Sequence, residues 1–150
     1  MIFWDADTVA EPTMLAMLVT ALEMHPEASY AYCQYLFGWK LMKSQAFDGE
    51  ALKKYNYIDT TTLLRRSAVV PFDETLHRFQ DWDVWLTMLE QGKTGVFVPE
   101  VLFSKIVDHR PGTSNWLSRS AWLPSFVYKL PWKIKRVRDY DAARAIVLAK

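Results

Sequence analysis

The tightest constraint on the fold lies at the very start, where Met1-Ile2-Phe3-Trp4 runs directly into Asp5-Ala6-Asp7. An unbroken apolar run closing on acid reads as a central parallel strand, buried on both faces, with carboxylates at its C-terminal end. Such a strand needs neighbours on both sides. None precedes it here, so the reading expects a domain entered part-way. The run has no basic n-region and meets acid at once, which is unlike a signal peptide.

The rest of the chain can supply the layers that strand requires. Its 150 residues are the length of one ordinary domain, 51% of them are hydrophobic and 15% aromatic, enough to offset the entropy of ordering. The net charge of +1 gives no global attraction to nucleic acid. Cys33 is the single cysteine, which excludes an internal disulfide and a cysteine-based zinc cluster and fits a reducing, cytoplasmic setting. No stretch reaches the roughly 18 apolar residues of a membrane-spanning helix.

Read along the chain, strand and helix patterns mix without a sharp boundary, so the fold class is α/β. Pro12 opens a helix in which Leu15, Leu18 and Leu22 recur at helical spacing, ended by His25-Pro26. Ser29 to Phe37 alternates and is Tyr-rich, a strand. Asp48 caps a short helix running through Leu52 to Tyr55, and Thr60 to Leu64 is a second strand candidate. A helix follows from Asp81, with Trp85, Leu86 and Leu89 inward and Gly92 as its stop. Gly95–Val98 and Val101–Ile106 read as two strands divided by Pro99-Glu100. Trp116 to Tyr128 is helical in flavour, and Asp139 begins a last helix through Ala142, Ile146 and Leu148.

Two acidic motifs can carry chemistry. Asp5 and Asp7, at the C-terminal edge of a parallel strand, stand where α/β sheets place ligands. Both can reach a hard divalent cation that bridges to phosphate oxygens; a solvated turn is the plainer explanation. In Gln80-Asp81-Trp82-Asp83-Val84-Trp85-Leu86, Asp81 opens a helix. Capping and the helix dipole explain an acid there, and so does a general base on a rigid element.

Taken in order, the apolar strand, Asp-x-Asp, the Pro-opened helix, the Tyr-rich strand, Thr60-Thr61-Thr62-Leu63-Leu64-Arg65-Arg66, Phe72-Asp73-Glu74, the Asp81 motif, Gly92 and Val96-Phe97-Val98-Pro99 resemble family 2 glycosyltransferases of the GT-A fold. The resemblance spans roughly Ile2 to Ile106. It implies a partial GT-A fold: residues 1–110 as the C-terminal half of the catalytic domain, a mixed sheet flanked by helices, with 111–150 as an aromatic and basic helical tail. It further implies an inverting, metal-dependent transfer of a sugar from a nucleotide-sugar donor to a glycan or lipid-linked acceptor. Asp7, with Asp5, would hold Mg²⁺ or Mn²⁺ on the donor diphosphate, and Asp5 could also contact the ribose. Asp81 would be the catalytic base; Gln80 stands where the family often has Glu. His109 and Arg110 would close over the diphosphate, while Arg65, Arg66 and Trp82 are candidate acceptor or diphosphate contacts. The Gln-x-x-Arg-Trp motif of processive synthases does not occur, which points to single transfers. The nucleotide-binding half expected before Met1 is not part of this sequence, so the chain by itself is expected to be weakly active or inactive.

Between Lys129 and Arg138 there are five basic residues and no acidic one, close to Trp122, Phe126, Tyr128 and Trp132. Such a stretch, 122–138, can dock peripherally on the inner face of an anionic membrane, or its rings can pack on the domain while its charges are solvated. Two other readings of the whole chain stand beside the transferase. One is a non-catalytic interaction module of the same fold. The other is a phosphoryl or nucleotidyl transferase using the same Asp-x-Asp, which leaves Asp81 unused.

Overall fold

A computed structural model describes residues 1–106 and 134–149 of the chain. Within them the elements are β1 (Thr8–Ala10), α1 (Met14–Met24), β2 (Tyr30–Phe37), β3 (Lys40–Met42), α2 (Gly49–Leu52), β4 (Leu63–Leu64), α3 (Gln80–Glu90), β5 (Gly95–Lys105) and α4 (Ile134–Leu148), with a 3₁₀ turn at Arg66–Ala68. The protein is α/β, with a mixed open sheet. Met1–Phe72 and the stretch from Asp81 form one compact unit; Asp73–Gln80 and α4 belong to another. No helix among the described residues is long and apolar enough to cross a membrane.

The sheet is organised by β2 and β5, which run parallel from Tyr30 beside Gly95 to Phe37 beside Lys105. On its other side β5 takes β1, antiparallel, with Thr8 opposite Lys105. The free flank of β2 is shared. β4 pairs with its first residues, Tyr30 and Ala31, and β3 with its last, Tyr35 to Phe37. β2 turns into β3 at Gly38, whose φ of 56° is open to glycine at little cost. This hairpin is not visible in the sequence pattern, because its second strand is only three residues long.

Side-chain alternation on β2 builds two cores. Ala31, Cys33 and Tyr35 join Met14, Leu18 and Leu22 of α1 and Val98, Leu102 and Phe103 of β5. Tyr35 and Phe103 stack with centroids 4.8 Å apart. Tyr30 and Tyr32 instead meet Trp85 of α3, Tyr57 and Phe97, with the Tyr30 and Trp85 rings 5.1 Å apart. Burial of Cys33 pushes its thiol up to about 12, so it serves as packing and not as a nucleophile.

Several expectations need correction. Met1–Trp4 is not a central strand: Ile2 makes one antiparallel bridge to Leu63, and Met1 and Trp4 are exposed. The strand lies after the acidic triplet, at β1. Gly95–Val98 and Val101–Ile106 are one strand, β5. Its pairing skips from Cys33 beside Val98 to Gln34 beside Val101, because Pro99 has no N–H to give and bulges outward with Glu100. Leu15 is half exposed, and Met14 takes its place inward. On α3 the fully buried residues include Trp82 and Met88, with Leu86 and Leu89 only partly covered. α4 already includes Ile134, ahead of Asp139. The Asp48 cap is as expected, its Oδ1 accepting from Glu50 N at 2.9 Å and Ala51 N at 3.0 Å, and Gly92 ends α3 with a φ of 71°.

Gly95 lies against the ring of Tyr30, where an added Cβ would sit 2.6 Å from Cδ2 and 2.8 Å from Cζ. That ring is fully buried and cannot retreat. Gly95→Ala should therefore cost about 1–3 kcal/mol in urea unfolding. Gly49→Ala, which meets only the flexible tip of Leu89, should stay within about 1 kcal/mol of the parent. Equal losses at the two positions would contradict the packing described.

Candidate functional site

The parallel pair β2 and β5 has its C-terminal edge at Phe37 and Lys105, and the groups capable of chemistry gather there. The Asp-Ala-Asp triplet is a turn, closed by Thr8 N donating to Asp5 O at 3.0 Å, with Asp at the position such turns favour. Ile106 N donates to Asp7 O at 2.8 Å and Gly38 N to Lys105 O at 3.0 Å. Backbone bonds from three segments thus hold Lys105 and the acidic turn side by side.

Lys105 is the hub. Its Nζ lies 2.8 Å from Asp5 Oδ2 and 2.9 Å from Asp59 Oδ2, and 5.6 Å from the centre of the Tyr35 ring. The two carboxylates differ. Asp59 is 9% exposed and its Oδ1 accepts from Thr61 N at 2.8 Å, whereas Asp5 is 48% exposed. Burial works against the Lys105 charge, but the attraction of Asp59 and Asp5 prevails and its pKa is raised.

Asp81 approaches from the start of α3. The helix is pinned by two buried indoles: Trp82 Nε1 donates to Leu52 O at 2.7 Å and Trp85 Nε1 to Ile58 O at 3.0 Å. The first ties α3 to the end of α2 and the second to the loop that leads into β4. That loop returns the favour, since Asn56 Nδ2 donates to Asp81 Oδ2 at 2.8 Å while Asn56 Oδ1 accepts from Ile58 N at 3.1 Å. Just before α3, Phe79 has a φ of 61°, a left-handed conformation costing about 1–2 kcal/mol outside glycine. Burial pushes the Asp81 carboxyl up to about 6; the Trp82 amide counters this, Asp59 adds to it, and Lys105 opposes it. A carboxylate fixed by an amide and titrating near neutrality can take a proton from a neighbouring hydroxyl.

Asp5 and Asp7 are hard oxygen donors exposed on one turn. Among the described residues, no three acidic, histidine or cysteine side chains converge as a protein-only metal cage. Mg²⁺ or Mn²⁺ does not require one, since such ions accept one or two carboxylates and complete their shell with water and phosphate oxygens. The pair fits that mode, on an edge where, among the described residues, Asp5, Asp59 and Asp81 gather about the Lys105 ammonium.

The remaining expected contacts lie elsewhere. Arg65 Nε donates to Ala28 O at 2.8 Å and its terminal nitrogen to Leu22 O, so the guanidinium closes the C-terminal end of α1. It stands beside Ser29, at the opposite end of β2 from Lys105. Arg66 is exposed at that same end. Trp82 is 2% exposed and offers no ring face to an acceptor. His109, Arg110 and the stretch 122–138, save the backbone of α4, lie outside the described residues. Asn56, Asp59 and Lys105 are the residues that sequence reading passed over. Lys105 had a signal, an ammonium inside the apolar strand Val101-Leu102-Phe103-Ser104-Lys105-Ile106. Asn56 and Asp59 look like ordinary loop residues until the loop folds.

No protein-family model matches this chain, and no curated protein matches it either.

The raised Asp81 pKa makes a stability prediction. The folded chain holds this proton up to about pH 6, against an ordinary value of 3.8. The stabilising contribution is complete below the lower value and is lost as pH rises through about 6. Asp81→Asn cannot ionise, so its melting temperature should gain on the parent's between pH 4 and pH 7, by roughly these limits of titration. A difference between the two proteins that stays flat with pH would contradict the burial of a charged Asp81.

Proposed function

We propose that the protein is, or is part of, an inverting glycosyltransferase of the GT-A type, which moves a sugar from a nucleotide-sugar to an acceptor hydroxyl. The observation that carries this reading is the placement of Asp81. Lys105, ion-paired to Asp5, and Asp59 are close enough to Asp81 for their charges to alter its titration, so Asp81 shares a neighbour with the Asp5-Ala6-Asp7 turn although 74 or more positions separate them. A metal-dependent transferase has use for both acids at once.

Asp81 accepts the proton of the acceptor hydroxyl as that oxygen attacks the anomeric carbon. The bond from that carbon to the diphosphate breaks from the opposite side, and the configuration inverts. Asn56 fixes the Asp81 carboxylate by donating to one of its oxygens, and the lone pairs not so engaged can take the proton of the hydroxyl. Asp5 and Asp7 would hold a Mg²⁺ or Mn²⁺ ion, which when bound offsets the charge of the departing nucleoside diphosphate. The acceptor class is a glycan or a lipid-linked saccharide, and a peripheral membrane contact through 122–138 at the inner membrane face would bring the latter within reach.

The test is sugar transfer from a panel of nucleotide-sugars with manganese, by the chain in its full reading frame. Asp81→Asn should lower kcat by about a hundred- to ten-thousand-fold with KM little changed. In the parent, kcat should fall about tenfold per pH unit below about pH 6, because the base must be ionised to work. Undiminished transfer by Asp81→Asn would end the assignment.

A further inference from the structure

Lys105 has two carboxylate partners of unequal permanence. The Asp59 side chain is largely covered, its second oxygen committed to Thr61 N, so the Lys105–Asp59 pair is built into the fold. Asp5 is half exposed, on a turn, and its contact with Lys105 is the only one made through that carboxylate among the described residues. Lys105 keeps Asp59 if Asp5 leaves, and an anion that takes the place of Asp5 restores the second ion pair of this largely buried ammonium.

Asp5 is also one of the two exposed carboxylates suited to a divalent cation. The same carboxylate therefore has two rival cations, the ammonium of Lys105 and a metal ion. We propose that Lys105 is the diphosphate-binding cation of this site, anchored by Asp59 and masked by Asp5 until Asp5 turns to a divalent ion. Resting on the transferase reading, this names the group that receives the diphosphate. One exchange satisfies every charge: Asp5 passes from ammonium to metal ion, and a phosphate oxygen replaces it on Lys105. Metal ion and diphosphate then bind cooperatively, since each removes the obstacle to the other. Tyr35, beneath the ammonium, and Thr8 and Phe37, paired with its backbone on either side, keep Nζ at the sheet edge throughout.

Binding of inorganic pyrophosphate by calorimetry, with and without manganese, tests this with no turnover involved. Without metal, Asp5→Asn should bind pyrophosphate several-fold more tightly than the parent, because Lys105 is unmasked. With manganese the order should reverse, because a metal ligand is lost. Asp7→Asn removes the same charge from the same turn but does not touch Lys105, and should show little of the metal-free gain. Lys105→Met should bind pyrophosphate at least tenfold more weakly in both conditions. Should that variant fail to fold, the contrast between Asp5→Asn and Asp7→Asn still decides the matter. Equal metal-free gains at Asp5 and Asp7 would mean simple charge removal and overturn the proposal, as would no gain at Asp5. Nucleoside diphosphates that follow the order of pyrophosphate support a donor site; pyrophosphate binding without theirs overturns it in favour of an acceptor's diphosphate. Failure of sugar transfer alone leaves these binding results standing, so the two ideas fail separately.

Discussion

The parallel pairing of β2 with β5 decides where everything else in this protein goes. Parallel strands bring two C-terminal ends to the same edge, and here these are Phe37 and Lys105. β1 joins antiparallel at that end, so the acidic turn before it reaches the edge as well. The loop before β4 runs back along β2 and delivers Asp59 and Asn56 from the other flank. Five groups from distant parts of the chain meet because one strand pair has one direction.

Such a meeting is electrostatically awkward, and the fold meets the difficulty with a lysine. Asp5, Asp59 and Asp81 crowd one edge, and like charges so placed disfavour one another. Lys105 lets Asp59 remain an ion-pair partner inside the protein, while Asp81, farther from the ammonium, is left with its carboxyl raised to about 6. The indoles of Trp82 and Trp85 keep Asp81 from moving outward to relieve the cost. An acid held in this way reduces stability near neutral pH.

What the sequence makes legible follows from how local each signal is. Asp48 and Gly92 are local and read correctly as cap and stop, and the stripe of α1 is right at Leu18 and Leu22 but not at Leu15, where Met14 is buried instead. The α/β class and the Tyr-rich β2 follow from patterns of similar length. Met1–Trp4 misled because apolarity over four residues cannot distinguish a central strand from a single bridge, and Pro99 misled because a bulge and a strand end share the same residues. The acids Asp5, Asp7 and Asp81 stand out by motif. Lys105, Asp59 and Asn56 acquire meaning only from cross-strand register and a loop stitched by its own side chains, and neither leaves a trace in linear spacing. Arg65 shows the converse: the family resemblance made it a candidate ligand contact, but three-dimensional proximity to the end of α1 gives the guanidinium carbonyls to bind instead.

The most direct measurement is the titration of the Asp81 carboxyl carbon by NMR, assigned with Asp81→Asn. A midpoint of about 6 is the predicted result, and would show a carboxylate held back from water yet ionised at neutral pH, ready to take a proton. A midpoint at the ordinary 3.8 would show a solvated acid at a helix start, with no more than a capping role, and would contradict the site described.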